Sequence, residues 1–150
     1  MEFYSAKLKA LGLDPLPQGS PSLDVEGQGR YPLQLITPPR HQFLNSTFNE
    51  VPALRAQAGP ATLLIHPQDA AARGIVGGQE VRVFNDRGSC RLSALVSQDT
   101  RQGVTVMEGL YWGSHTPGGR GANHLTSQRL ADMGGSCAFH CNLVEVAPAQ

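Results

Sequence analysis

The sequence predicts a mainly β fold, a small barrel with short helices, and three observations lead to that prediction. The chain of 150 residues contains 17 glycines and 11 prolines alongside 40% hydrophobic residues, a composition typical of many turns between short strands. Residues 66–88 contain a helix signal, a glycine turn, a strand and a hairpin in unbroken succession. Apolar and polar residues also alternate in other short segments, as they do in half-buried strands. Together these features are typical of one half of a small barrel.

The first 30 residues differ from the rest of the chain. Apolar residues between Phe3 and Leu13 form a partial helical stripe, and prolines and glycines follow it as far as Gly29. Such a stretch is typical of a connector that lies against other parts of a protein. We therefore expect residues 1–30 to be a partly flexible connector and residues 31–150 to form the globular domain.

Six segments have the composition or alternation of strands. They are residues 32–37, 62–65, 80–84, 89–96, 103–107 and 142–146. The first ends at Pro38 and Pro39, because proline has no N–H to donate to a ladder. In the fifth, we expect Val104 and Val106 to face the core and Thr105 to face solvent. The last segment is expected to close the barrel.

The best-defined helix begins at Pro67, where the missing N–H costs nothing, and ends at Gly74, which tolerates a left-handed conformation. Gly77 and Gly78 then permit a sharp reversal into the third strand. Residues 85–88 turn the chain into the fourth strand. The inner face of that strand is expected to consist of Cys90, Leu92, Ala94 and Val96.

Two polar loops are candidates for a binding site. The first, residues 38–48, has a high density of hydrogen-bonding groups between two apolar anchors, Phe43 and Phe48. A polar surface loop that satisfies only its own turns is the alternative. The second, residues 109–135, is too polar for a core and too long for a simple connection. Tyr111 and Trp112 lie at its entrance, where they either cap the barrel or face a flat ring.

Charge and cysteine content exclude several classes of function. Twelve basic and twelve acidic residues give a net charge of zero, so we expect neither nucleic acid nor a membrane surface as a partner. No apolar run approaches the length of a membrane span. Three cysteines without a C-x-x-C pattern favour a reducing compartment over a disulfide framework. We therefore expect a soluble, cytoplasmic protein.

Three candidate metal ligands lie near the end of the chain. Cys137, His140 and Cys141 are metal-ligating residue types, but a structural zinc normally requires four ligands at recognisable spacing. We therefore predict no metal ligands in this chain and interpret the two cysteines as ordinary interior or interface thiols.

Four ordered blocks resemble one family. They are LITPPRHQFLNSTF at residues 35–48, HPQDAAARGIVGGQEVRVFNDRG at 66–88, GVTVMEGLYWG at 103–113 and NHLTS at 123–127. The chain resembles the C-terminal molybdopterin guanine dinucleotide-binding domain of the DMSO reductase-type molybdenum oxidoreductases. The resemblance implies a six-stranded double-psi β-barrel of the aspartate decarboxylase-like kind. The NSTF and NHLTS motifs most closely resemble those of formate dehydrogenase-like or nitrate reductase-like large subunits.

The resemblance also implies the site. Amide side chains offer a donor and an acceptor to the edge of a pterin or guanine, and an arginine fork suits phosphate oxygens. The implied cofactor contacts are Thr37, Arg40, Asn45, Ser46, Thr47, Asn123 and His140. In the family, the metal's protein ligand and the iron–sulfur cluster lie in other domains. We therefore expect a cofactor-binding part of a larger oxidoreductase, inactive and monomeric by itself, whose partners are the remaining domains. The connector would follow a preceding domain, export of the parent enzyme stays open, and the parent's substrate is not indicated.

Two other functions are compatible with such a barrel. The first is an aspartate decarboxylase-like enzyme that cleaves itself at a Gly-Ser bond, for which Gly88–Ser89 is a candidate. The second is a peptide-binding adaptor barrel, which would leave the polar loops unexplained. The cofactor hypothesis makes one geometric demand, namely that residues 40–47 and Asn123 lie at the same end of the barrel.

Overall fold

The strands of the protein close into a single barrel in the computed structural model, which describes residues 3–16, 29–130, 135–137 and 142–149. The strands are β1 (Leu33–Ile36), β2 (Thr62–Ile65), β3 (Glu80–Asn85), β4 (Gly88–Val96), β5 (Val104–Val106) and β6 (Asn142–Pro148). Their order around the barrel is β1-β5-β2-β4-β3-β6. The pairs β1·β5 and β2·β4 are parallel, and the other pairs are antiparallel. This is the expected six-stranded double-psi β-barrel, and β6 closes it as predicted.

The helices of the described residues are short. They are α1 (Ala6–Ala10), α2 (Pro52–Ala58) and α3 (Pro67–Ala71). The start of α3 at Pro67 is confirmed, and Gly74 adopts a left-handed φ of 64° just beyond its end. None of the described helices has the length and apolar character needed to cross a bilayer.

The core fills the inside of the barrel with branched side chains that alternate with outward-facing ones. In β4, Cys90, Leu92 and Ala94 are buried as predicted, Val96 packs against the core, and Leu95 points outward. The largest fully buried apolar side chains are Leu33, Leu35, Leu63, Ile65, Leu92, Met107, Leu125, Val81, Val83, Val144 and Val146. They come from all parts of the chain after residue 32, so the barrel is one hydrophobic unit.

The prediction for β5 was wrong. Thr105 is fully buried, whereas Val104 and Val106 are only half-buried. The register pairs Thr105 with the buried Leu35 of β1, which turns the threonine inward. Its hydroxyl donates to the Leu64 carbonyl at 2.7 Å, so the buried oxygen is satisfied.

Strand direction decides where the loops emerge. Because β1 and β5 are parallel and both β1 and β3 run antiparallel to β6, these three strands end at the same side of the barrel. We call this side the upper rim, and it carries residues 37–49, 86–87 and 107–130. The lower rim carries α3, where a side-chain oxygen of Asp69 accepts from the Gly103 N–H at 2.7 Å.

Truncation inside the barrel is expected to be costly, and β4 offers a matched pair. Leu92 is 0% exposed and Leu95 is 51% exposed. We predict that Leu92→Ala lowers the free energy of unfolding by about 3 kcal/mol, since it loses buried area and leaves a cavity, whereas Leu95→Ala costs less than about 1 kcal/mol. Urea denaturation of both variants measures this difference. Equal losses would contradict the assigned register of β4.

The barrel interior also sets a pH dependence. Burial raises the pKa of the Cys90 thiol from 9.0 to about 12. In the unfolded chain the thiol ionises near its usual value, so the Cys90 contribution to stability is complete below pH 9 and is lost as the pH rises toward 12. Above pH 9, the wild type should lose up to about 1.4 kcal/mol per pH unit relative to Cys90→Ala. Denaturation curves at pH 8, 9 and 10 test this, and parallel losses in both proteins would contradict it.

Candidate functional site

The two polar loops follow neighbouring ends of β1 and β5. A hydrogen bond and an ion pair join them close to these strand ends. The Gly109 N–H donates to the Pro38 carbonyl at 2.9 Å, and Arg40 forms an ion pair with Glu108 at 2.8 Å. Gly109 has a φ of 86°, and a Cβ there would lie 3.0 Å from the Tyr111 ring and 3.2 Å from Arg40 Cβ. Glycine is therefore required where the loops approach each other.

A buried asparagine joins the two loops by hydrogen bonds at a second place, farther from the strand ends. Asn49 is 0% exposed, and its amide nitrogen donates to the carbonyls of Leu110 at 3.0 Å and Ser46 at 3.3 Å. Its side-chain oxygen accepts from the Trp112 N–H at 3.1 Å. One side chain thus satisfies three backbone groups from two loops, none of which has a strand partner.

An aromatic pair extends the same contact. The Trp112 indole N–H donates to the Ser46 carbonyl at 2.7 Å, and its ring stacks on the His115 ring at 6.1 Å and 8°. An Arg55 guanidinium nitrogen lies 3.2 Å from Nε2 of His115. Since arginine only donates, Nε2 of His115 is the acceptor in this contact. Trp112 remains 43% exposed, so its role here is at the rim.

Tyr111 anchors the base of the second loop. Its ring meets Phe43 edge-on at 5.3 Å, and its hydroxyl donates to the Gly59 carbonyl at 3.1 Å. Burial raises the pKa of the Tyr111 phenol, with Arg40 lowering it and Glu108 raising it to smaller extents. The phenol therefore stays protonated at neutral pH and keeps donating its hydrogen bond.

The loops enclose a cavity of about 260 Å³ that unites two of the predicted site residues. Ser46 lines it from the first loop, and Asn123 lines it from a short 3-10 turn, Ala122–His124, in the second. The remaining wall consists of Leu110, Tyr111, Gly113, Gly119, Gly121, Ala122 and His124. The upper rim thus brings the two loops together, as the cofactor hypothesis requires.

The other predicted site residues lie close by or outside the described part of the chain. Arg40 and Asn45 line a second upper-rim cavity of about 590 Å³, where Asn45 has a left-handed φ of 53°. Thr37 directly follows β1, and Thr47 pairs through its backbone with Leu44. His140 lies outside the described residues, as does Cys141.

The second loop is held over the barrel by residues that sequence reasoning missed. The Asn85 amide donates to the Leu125 carbonyl at 2.9 Å, and the Ser127 N–H donates to the Asn142 side chain at 2.9 Å. A Cβ at Gly88 would lie 2.7 Å from the His124 carbonyl oxygen. These asparagines look in the sequence like ordinary strand-end residues, so no local signal reveals them.

The described residues hold no cluster of three or more histidine, cysteine or acidic side chains arranged for a metal ion. Cys137, one of the residues considered as a ligand, is exposed.

Comparison with known proteins identifies related sequences. Residues 33–143 match the family described as the molydopterin dinucleotide binding domain. The chain is 37% identical over 147 residues to the probable oxidoreductase YoaE of Bacillus subtilis, covering 97% of this chain and 21% of that protein. It is 34% identical to the dimethyl sulfoxide reductase DmsA of Escherichia coli, with 89% of this chain and 17% of DmsA covered. Trimethylamine-N-oxide reductase 1 of Escherichia coli is 36% identical, with 97% of this chain and 20% of the reductase covered.

A solved structure supports the fold. The acetylene hydratase of Pelobacter acetylenicus superposes with a TM-score of 0.81 at 21% identity, covering 99% of this chain and 23% of that one. The chain thus spans about a fifth of the length of these three related oxidoreductases.

Asn49 provides a test of the loop arrangement. In Asn49→Ala, the Leu110 carbonyl and the Trp112 backbone N–H lose their partner, and the Ser46 carbonyl keeps only the Trp112 indole, which should lower the free energy of unfolding by about 2 kcal/mol. Because Trp112 is the only tryptophan, its fluorescence should shift toward that of a more solvated indole. The exposed Gln98→Ala serves as the control. An unchanged emission maximum with unchanged stability would contradict the role of Asn49.

Proposed function

The chain belongs to the molybdopterin dinucleotide-binding domain family, and from this premise we propose that its upper rim binds part of a molybdopterin guanine dinucleotide within a larger molybdenum-dependent oxidoreductase. One observation carries the proposal: Ser46 and Asn123, from loops far apart in the chain, line the same cavity. The match over about a fifth of the length of much larger relatives supports the domain role.

The residues of this cavity fit a pterin or purine edge. No described residue forms a hydrogen bond with the carboxamide of Asn123, so its donor and acceptor face a ligand unopposed. Gly119 and Gly121 expose backbone where a side chain would otherwise stand, which lets a flat ring approach closely. None of the lining residues carries a carboxylate, so an electron-rich heterocycle or a phosphate meets no repulsion there.

We assign the phosphates and the nucleoside to the second upper-rim cavity, where Arg40 neutralises the one lining carboxylate, that of Glu108. Arg40 donates to Glu108 and to the Ala58 carbonyl, which fixes its guanidinium in place beside Asn45. A fixed fork binds a phosphate oxygen with little loss of conformational freedom. We assign Thr37 and Thr47 to the same first-loop contact surface, and His140 to a contact from the segment before β6.

The residues of this chain bind and orient, while the molybdenum centre of the bound cofactor supplies the redox chemistry. Asn49 and Tyr111 keep the two loops in one arrangement, so the cavity exists before the ligand arrives. We therefore propose that the domain has no activity alone and that its partners are the other domains of the parent enzyme. A formate dehydrogenase-like or nitrate reductase-like parent remains a prediction, and the relatives above are named as reductases of dimethyl sulfoxide and trimethylamine N-oxide.

The alternative of self-cleavage at Gly88–Ser89 gains no support from the geometry. Gly88 begins β4 and is a glycine for a packing reason, because a Cβ would collide with the His124 carbonyl oxygen. A peptide-binding adaptor barrel needs only a groove. It would not require an upper-rim cavity whose two loops are joined by buried hydrogen bonds.

Titration of the 150-residue chain with guanosine diphosphate and with 6-hydroxymethylpterin tests the proposal. We expect millimolar binding, since other domains supply the remaining contacts, with side-chain amide NMR shifts at Asn123 and Asn45. Asn123→Ala should weaken binding of at least one of the two probes about fivefold, the value of one neutral hydrogen bond.

The matched control is Gln102→Ala, which removes an exposed amide at the lower rim and should leave both affinities unchanged. Binding that is insensitive to Asn123→Ala, or shifts confined to the lower rim, would overturn the proposed site.

A further inference from the structure

A groove of about 610 Å³ lies on the outer face of β3 and β4, separated from the cavity at Asn123 by the segment 118–121. Residues 117–120 line one side of the groove, and residues 147–149 at the end of β6 line the other side. Phe84 and Pro117 contribute apolar surface, and three arginines, Arg82, Arg91 and Arg120, line the same space. We call it the arginine groove.

Two of these arginines occupy an unfavourable position in the sheet. Arg82 and Arg91 are directly opposite each other on paired strands, and like charges in that position destabilise a sheet. The carboxylate of Glu80 forms an ion pair with Arg91 at 3.2 Å. Both side chains are about half-exposed, so this ion pair offsets little of the repulsion between Arg82 and Arg91. Among the described residues, the only carboxylate that pairs with one of these three guanidiniums is that of Glu80, so the described part of the groove is positive.

Arg82 and Arg120 present their donors to the groove. The guanidinium of Arg82 lies over the Phe84 ring, 4.5 Å from its centroid, and no described residue accepts a hydrogen bond from it, so its N–H groups are available to a ligand. Arg120 forms no hydrogen bond or ion pair with any described residue. The nearby Glu145 is occupied, since it pairs with Arg73 at 2.6 Å.

We propose that the arginine groove docks an acidic segment of another domain of the parent enzyme. Its carboxylates bind the guanidinium edges of Arg82 and Arg120, and its apolar side chains pack on Phe84 and Pro117. This inference rests on the proposed function in one respect, namely that the chain is one domain of a larger protein.

A protein segment suits the groove better than a free phosphate does. Phosphate sites generally use backbone N–H groups in nests or at helix ends. Here β3 pairs with β4 on one side and with β6 on the other, so its N–H groups are committed to the sheet. Arginine and aromatic residues on a partly apolar surface are instead the composition of protein interfaces.

The test uses the 150-residue chain and an acetylated hexapeptide of alternating glutamate and leucine. We expect the NMR resonances of the Arg82 and Arg120 side-chain Nε–H groups to shift with this peptide and not with its glutamine counterpart. The double variant Arg82→Gln, Arg120→Gln should weaken peptide binding at least about tenfold, because two charge-assisted hydrogen bonds are lost. Arg101→Gln, an exposed arginine at the lower rim, is the matched control and should change the affinity less than about twofold.

Three results would overturn the proposal. They are an absence of shifts at these arginines, equal weakening by Arg101→Gln, and tighter binding of inorganic pyrophosphate than of the peptide at the same resonances. The last result would identify a phosphate site instead. Nucleotide and pterin binding is followed separately at Asn123, so a failure of the docking proposal is distinguishable from a failure of the cofactor proposal.

Discussion

Parallel pairing of β1 with β5 is the constraint on which the site depends. In register, Ile36 lies beside Val106, so the chain leaves both strands at the same height and on the same side of the barrel. Two loops that are about 70 residues apart in sequence therefore begin as neighbours. Everything at the upper rim, from the Arg40 ion pair to the cavity at Asn123, follows from that starting position.

Neighbouring loops still need internal order, and buried amides supply it. A strand satisfies its backbone through the ladder, whereas residues 37–49 and 107–130 have almost no ladder to use. Asn49 and Asn85 replace it, each by donating to two backbone carbonyls from different segments. A carboxamide has two N–H donors and can therefore donate to two carbonyls at once, whereas a hydroxyl has only one donor. The loops are thereby held without being converted into helix or strand.

The sequence predicted the strands well because each strand needs only a short local pattern and a turn residue on either side. The third strand, for example, was expected at 80–84 and is observed as Glu80–Asn85. Thr105 was misplaced because the inward face of β5 is decided by its pairing with β1, which local alternation does not encode. Asn49 was missed for a related reason, since the carbonyl it binds at Leu110 lies 61 residues further along the chain. The candidate site was predicted as two polar loops. The hydrogen bonds that join these loops depend on the tertiary structure, so the sequence alone could not predict them.

The glycine-rich character of the second loop follows from its position between two cavities. Gly119 and Gly121 line the upper-rim cavity, whereas Gly118 and Arg120 line the arginine groove, so successive residues face opposite sides of one thin wall. Such a wall has no interior in which to place a side chain. At Gly113, an added Cβ would already lie 2.7 Å from the Gly119 carbonyl oxygen. A larger residue at these positions must therefore intrude on one space or the other. The segment is constrained from both faces, and a ligand in one cavity and a partner in the other would meet the same few backbone atoms.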